Sequence, residues 1–406
     1  MDKPMKSTRS VVITVTILVA TLILVPVYII NNIHNANIHR SSNTNLPPTN
    51  SSSLQPTSSP DTVPEQEDEI QKMVDSMQVN EKLGQMIIGG YDNINEILPI
   101  IIENKLGGVI LFKKNISSVS QTKKDIISLK ERNLQNKIPI FISVDQEGGG
   151  VSRLPTVMGG FESALSIGHR DDPTYAFNTG VKIAKAIKNL GFNLDFAPVL
   201  DIFSNRKNTV IADRAFGTTP DRVSKIGIPV LKGLRSETII PTAKHFPGHG
   251  DTEIDSHVGL PVVNKSLDQL NNFEFKPFIE AINNNIEMIM IAHIKLSKVD
   301  DMPSSLSYKV VTDILRKQLG FNGVIITDDM TMSAITQNYT ISGATMKAVN
   351  AGCDIVLVAQ GAKNSVVVLN TLKSAYQKGQ LTEQRINESV YRILSLKIKY
   401  GLKDQT

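Results

Sequence analysis

The stretch KHFPGHGDTEIDSH, Lys244 to His257, holds three of the chain's seven histidines among glycines and carboxylates. Such residues can form a metal cage, a proton-transfer device or a buried polar turn. Asp255 and His257 stand two apart, so an extended stretch sets both side chains on one face. A carboxylate beside an imidazole orients the ring and stabilises its cation, which makes a proton donor near neutral pH. A zinc site is the competing reading. His245, His249 and His257 are spaced four and eight apart, without an H-E-x-x-H helix signature, so the spacing carries little metal specificity. His249, between two glycines, reads as a residue that shapes the loop.

Other carboxylates and bases follow apolar runs. In GVIITDD, adjacent Asp328 and Asp329 point to opposite faces of an extended chain. One can face a pocket while its neighbour braces the next loop; the plainer reading makes both helix N-caps. In VDQEGGGVSRL, Asp145 ends a run, three glycines allow a ligand to approach the backbone closely, and Arg153 can return as a donor. A tight turn with a solvated arginine fits this stretch as well. Arg214, in ADRAFG, carries the same two readings. His293 reads as a hydrogen-bonded core group.

These residues need a frame. Eight short β-branched or apolar runs recur: MIIGG (86–90), GGVILF (107–112), IPIFISVD (138–145), NLDFAPVLD (193–201), TIIPTAKH (238–245), MIMIAHI (288–294), GVIITDD (323–329) and CDIVLVA (353–359). Nearly continuous hydrophobicity predicts strands buried on both faces. Amphipathic stretches such as PTYAFNTGVKIAKAIKNLG and PDRVSKIGIPVLKGLRS lie between them. The repeated β-α alternation predicts an α/β fold of the (β/α)8 TIM-barrel type over residues 66–406. An open doubly wound sheet is the alternative, but no G-x-G-x-x-G follows the first strand. A barrel gathers its chemistry at the C-terminal strand ends. Asp145, Asp195, Asp201, Lys244, His245, His293, Asp328 and Asp329 all fall there.

Bulk composition narrows the classes. The 43 basic and 39 acidic residues leave a net charge of +4, too mild for nucleic acid. Trp is absent, and Cys353 stands alone, so neither an internal disulfide nor a cysteine-built zinc site is available. Residues 11–30, VVITVTILVATLILVPVYII, carry no charge. At a rise of about 1.5 Å per residue they cover the roughly 30 Å hydrocarbon core. Lys3, Lys6 and Arg9 in the preceding residues 1–10 predict a cytoplasmic N-terminus with the rest of the chain outside. The run exceeds a usual signal-peptide core and no A-x-A site follows, which favours an uncleaved transmembrane anchor over a cleaved signal. Residues 31–65, rich in Asn, Ser, Thr and Pro, read as a disordered linker. The expected location is the cell membrane, single-pass, with an extracytoplasmic catalytic domain.

The motifs together resemble glycoside hydrolase family 3 and, within it, the bacterial β-N-acetylglucosaminidases. The resemblance runs from EKLGQM at residue 81 to the C-terminus, through GGVILF, VDQEGG, NLDFAPVLDI, DRAFG, KHFPGHGDTEIDSH and ILRKQLGFNGVIITDDM, in the family's order. It implies Asp328 as nucleophile and His257, paired with Asp255, as general acid/base on a mobile loop. It implies that Asp145, Arg153, Arg214, Lys244 and His245 bind an N-acetylglucosamine, with no metal and no cofactor. Many relatives carry Arg where this chain has Gly150; Arg153 is present. The implied activity is retaining exo-hydrolysis that releases N-acetylglucosamine from the non-reducing end of β-linked glycans, with peptidoglycan fragments as the expected partner. Phosphorolysis, an inactive wall-binding barrel and a metal-dependent hydrolase stay open as alternatives.

Overall fold

A computed structural model describes residues 63–402, apart from Ile254. The apolar runs form eight parallel strands: β1 (Ile87–Gly89), β2 (Gly108–Leu111), β3 (Phe141–Val144), β4 (Leu194–Asp195), β5 (Ile240–Phe246), β6 (Met288–Ile291), β7 (Val324–Thr327) and β8 (Val356–Val358). Every residue in them is buried, which is why they read as continuous rather than alternating hydrophobicity. The strands pair in the order β8-β1-β2-β3-β4-β5-β6-β7. A parallel bridge between Ile326 and Ile355 joins the two ends, and Thr327 N donates to Ile355 O at 3.1 Å. This is the (β/α)8 barrel that the alternation predicts.

A buried carboxylate stitches the closing seam. Asp354 accepts from Ile325 N at 2.9 Å, Ser389 Oγ at 2.7 Å and Arg392 Nη1 at 3.0 Å, and it pairs with Arg316. Burial alone would raise its pKa; Arg316, Arg392 and Arg385 outweigh that and hold it below the ordinary carboxylate value.

The outer helices show local rules agreeing with packing. Asp172 caps helix Pro173–Leu190 by accepting from Thr174 N at 2.8 Å, Pro173 opens its first turn, and Gly191 ends it at φ 106°. Ala176, Gly180, Ile183, Ala184, Ile187 and Leu190 form its buried face. That stripe packs against helix Pro220–Ser236, where a Cβ on Gly180 would sit 2.3 Å from Val230 O. A larger residue at 180 forces the two helices apart.

Three details differ from the sequence reading. The segment 309–318 is a π-helix rather than an α-helix. Val262–Val263 and Lys295–Leu296 pair as a small parallel sheet outside the barrel, in strands too short to leave a periodic signal. The first described helix begins at Val63, so residues 63–65 of the assigned linker are helical; Pro64 sits in its first turn, where proline is tolerated. The anchor assigned to 11–30 and the linker up to residue 62 lie outside the described residues. Among the described residues, no helix is long and apolar enough to cross a membrane.

Candidate active site

The C-terminal strand ends surround a cavity of about 430 Å³. Asp145, Arg153, Arg214, Lys244, His245, His257 and Asp328 all line it. Asp255 does not line it and reaches it only through His257.

The floor is a chain of alternating charges. Lys244 Nζ lies 2.7 Å from Asp145 Oδ1 and 2.7 Å from Glu147 Oε1. Arg214 grips Glu147 with two bonds of 2.8 Å, in the bidentate geometry that favours arginine. Arg214 Nη2 stands 3.4 Å from His245 Nε2, and His245 Nδ1 stands 2.6 Å from Asp201 Oδ2. With an arginine N–H facing Nε2, the tautomer that fits carries hydrogen on Nδ1 and donates it to Asp201. Burial alone would raise the pKa of Glu147; Lys244 and Arg214 outweigh it and hold the group far below its usual value. Burial alone would lower that of Lys244, yet Asp145 and Glu147 raise it. Each ion is thus kept charged by its neighbours, a rigid set of donors and acceptors suited to hydroxyl groups.

Strand geometry aims these groups. Lys244 and His245 are successive residues of β5, and both reach the cavity because the register against β6 slips between Ala243 and Phe246. Asp145 stands one residue beyond β3. Arg153 is held by Gln146, whose buried side chain accepts from Arg153 N at 2.9 Å. Gly148 and Gly149 in VDQEGGGVSRL serve this turn rather than a ligand. Gly148 has φ 95°, and a Cβ there would meet Glu162 O at 2.2 Å, so the close approach is to the protein's own backbone.

Asp328 follows β7 directly. Its N–H donates to Ile291 O at 2.9 Å, and its Oδ1 accepts from Asp329 N at 2.8 Å. Burial would raise its pKa, but His293, His245, the Asp329 N–H and Lys244 outweigh burial and set it below the ordinary value. It is therefore an anion at neutral pH, the form in which a carboxylate can attack an electrophile. Asp329 turns to the following loops: Oδ1 accepts from Thr331 N at 2.9 Å and Ala359 N at 2.8 Å. His293 is buried, with Nδ1 2.7 Å from Ser305 Oγ and Nε2 2.9 Å from Asp329 O. Burial lowers its pKa, and both ring nitrogens have hydrogen-bond partners, as in a core group.

His257 sits on the loop after β5, 69% exposed in its side chain, with Nδ1 2.9 Å from Asp255 Oδ1. The contact is made by a turn instead of an extended stretch. His257 N also donates to Asp255 Oδ1 at 2.8 Å, and Val258 N to Asp255 O at 2.9 Å. Burial would raise the pKa of Asp255, but its bonds to His257 lower it. His249 is buried, with Nδ1 3.0 Å from Thr252 Oγ1 and Nε2 3.3 Å from Ser256 Oγ. Among the described residues, no three His, Cys, Asp or Glu side chains converge as a metal site would require.

Sequence reasoning passed over Glu147 and Gln146, and it marked Asp201 only as a strand-end carboxylate, without a role. Glu147 stands two residues from Asp145, on the same face of the strand exit, a parity that could have found it. Asp201 lies six residues beyond the end of β4 rather than at it, so nothing local marks its contact with His245, and Gln146 acts through the backbone.

Residues 78–396 match the family model for the glycosyl hydrolase family 3 N terminal domain. Beta-hexosaminidase A of Pseudoalteromonas piscicida is 33% identical over 329 residues, 75% of this chain and 55% of that protein. A beta-hexosaminidase of Idiomarina loihiensis is 32% identical over 290 residues, 70% of this chain and 85% of that one. Among solved structures, a glycoside hydrolase family 3 beta-N-acetylglucosaminidase from Paenibacillus sp. str. FPU-7 superposes with a TM-score of 0.79 at 33% identity, covering 80% of this chain and 63% of the other. The chain thus spans about half the length of the first of these relatives and under two thirds of the solved structure. The barrel, its ordered motifs and these matches make one conclusion: the chain belongs to glycosyl hydrolase family 3.

Proposed function

We propose that this chain is a retaining exo-β-N-acetylglucosaminidase. The observation that carries the reading is a strand-borne carboxylate, Asp328, lining one cavity with a loop-borne imidazole, His257, that is itself paired with Asp255. In this scheme Asp328 attacks the anomeric carbon while the His257 imidazolium protonates the departing oxygen. Water, deprotonated by His257, then opens the glycosyl-enzyme, so the configuration is retained. Most retaining glycosidases use two carboxylates for these tasks; here a His–Asp pair replaces one. Asp145, Lys244, Arg214, His245 and Arg153 bind the sugar. The beta-hexosaminidase and beta-N-acetylglucosaminidase relatives support the N-acetylglucosamine specificity.

The substrate we infer is the non-reducing end of peptidoglycan fragments, outside the cell, with the chain held at the membrane through residues 11–30. The uncharged run behind a basic N-terminus supports that placement. A chromogenic N-acetylglucosaminide tests the reaction. Wild type is expected to turn it over, and Asp328→Ala to fall to background with its thermal midpoint retained. Substantial activity in that variant overturns the nucleophile. No turnover by wild type at high concentration favours an inactive wall-binding barrel.

One feature favours a second reading. A base that is neutral before it takes a proton does not repel an incoming anion, so phosphate can stand in for water. Comparing products with and without phosphate separates the two: free sugar in both supports hydrolysis, and sugar 1-phosphate supports phosphorolysis.

A further inference from the structure

Asp201 is buried and lies outside the cavity, yet it holds two parts of the site at once. Oδ2 stands 2.6 Å from His245 Nδ1 on the floor. Oδ1 accepts from His249 N at 2.6 Å, at the root of the loop that carries His257. His245 N lies 3.3 Å from both oxygens. From His249 the connection continues to Ser256 Oγ at 3.3 Å, the residue before His257. Ser256 O in turn accepts from Ala334 N at 3.0 Å, in the segment that follows Asp328. The loop root cannot drift: a Cβ on Gly250 would lie 1.7 Å from Ile202 O.

We infer that Asp201 is a positioning residue that fixes the sugar-binding tautomer of His245 and, through His249 and Ser256, the place of His257. This rests on the reading of His257 as acid/base. The two arms have different kinetic signatures. The floor arm acts on sugar binding, whatever the leaving group. The loop arm acts on proton donation, which matters only where the departing oxygen needs a proton.

Two substrates and two variants separate them. A dinitrophenyl N-acetyl-β-glucosaminide has a leaving group that departs without a proton; N,N′-diacetylchitobiose needs one. Ser256→Ala cuts only the loop arm. It is expected to lose about tenfold in kcat/KM on chitobiose, with little change on the dinitrophenyl substrate. Asp201→Asn cuts the floor arm: its one remaining oxygen stays on the His249 N–H, a donor that cannot become an acceptor, while the amide N–H faces His245 Nδ1 and forces the hydrogen onto Nε2, against Arg214. It is expected to raise KM by about tenfold on both substrates alike. In 15N NMR the His245 signal is expected to switch from the Nδ1–H to the Nε2–H form, which a merely structural role does not require. Wild-type kinetics on both substrates in folded variants, with the tautomer unchanged, overturn the inference and leave the proposed function standing. If Asp201→Asn does not fold, the substrate dependence of Ser256→Ala decides alone. A wild type that turns over neither substrate overturns the proposed function and this inference with it.

Discussion

Asp201–His245 and Asp255–His257 are the same two groups joined through Nδ1, at 2.6 Å and 2.9 Å, in opposite surroundings. The first pair is 0% and 8% exposed, and the second is 37% and 69% exposed. Burial removes water as an alternative partner, so in the first pair each N–H must be satisfied by Asp201 and the ring is locked. Exposure leaves the second ring open to solvent on the side away from Asp255. One chemical motif becomes a fixed fixture or, in the proposed mechanism, a proton carrier according to its access to water.

The comparison is most easily broken at the exposed pair. His257→Ala is expected to slow cleavage of substrates with poor leaving groups by about 10²- to 10⁴-fold. Its stability in urea is expected to stay within about 0.5 kcal/mol of wild type, since the removed ring makes few buried contacts. A large stability loss would mean that the loop is a structural strut. The buried pair is expected to invert this pattern. Asp201→Ala leaves the His245 Nδ1–H and His249 N–H without partners, at a cost of about 1–3 kcal/mol for each group, measurable by urea unfolding. Unchanged stability would show that water reaches the site.

Acid titration sharpens the same contrast. In Asp201, burial alone would raise the pKa, but His245 and the bonds from His249 outweigh it and the net shift is downward. Glu147 and Asp354 are also held low. A carboxylate with a lowered folded pKa contributes stability that is fully present above its unfolded value and lost as pH falls through the folded value. The thermal midpoint is therefore expected to hold from neutral pH down to about pH 4 and then to drop. Asp201→Asn is expected to flatten part of that drop. The same substitution at Asp255 is expected to change it little, because solvent screens that pair. The smallest expected effect is that of a chelator, which should leave turnover unchanged. His245 and His249 already spend their ring nitrogens on Asp201, Arg214, Thr252 and Ser256.

Much of the frame was legible. Strands buried on both faces must be apolar throughout, so β1 to β8 announce themselves, and the rule of catalysis at C-terminal strand ends picked out Asp145, Lys244, His245 and Asp328. Strand lengths were less legible. NLDFAPVLD suggests nine extended residues, but β4 keeps only Leu194–Asp195; beyond it the pairing with β5 resumes as an isolated bridge between Val199 and Lys244, while burial continues through Asp201. Glu147, and the partners of Asp201, stayed hidden for another reason. Glu147 meets Lys244 and Arg214 across 97 and 67 residues of sequence, and Asp201 meets His245 across 44. Such pairings follow from barrel closure, not from local pattern. Asp255 and His257 were found by a spacing argument that holds for strands, although a turn makes the contact.

The central claim is that Asp328 and His257 act on one sugar across one cavity. Intact-mass and peptide mass spectrometry of His257→Ala, mixed with an activated aryl N-acetylglucosaminide, tests it directly. The first step needs no proton, whereas the second has lost its base, so a covalent intermediate should accumulate. The expected result is one N-acetylglucosaminyl group on the peptide that contains Asp328, absent in His257→Ala/Asp328→Ala. An adduct on another residue, or turnover at the wild-type rate with no adduct at all, would contradict it.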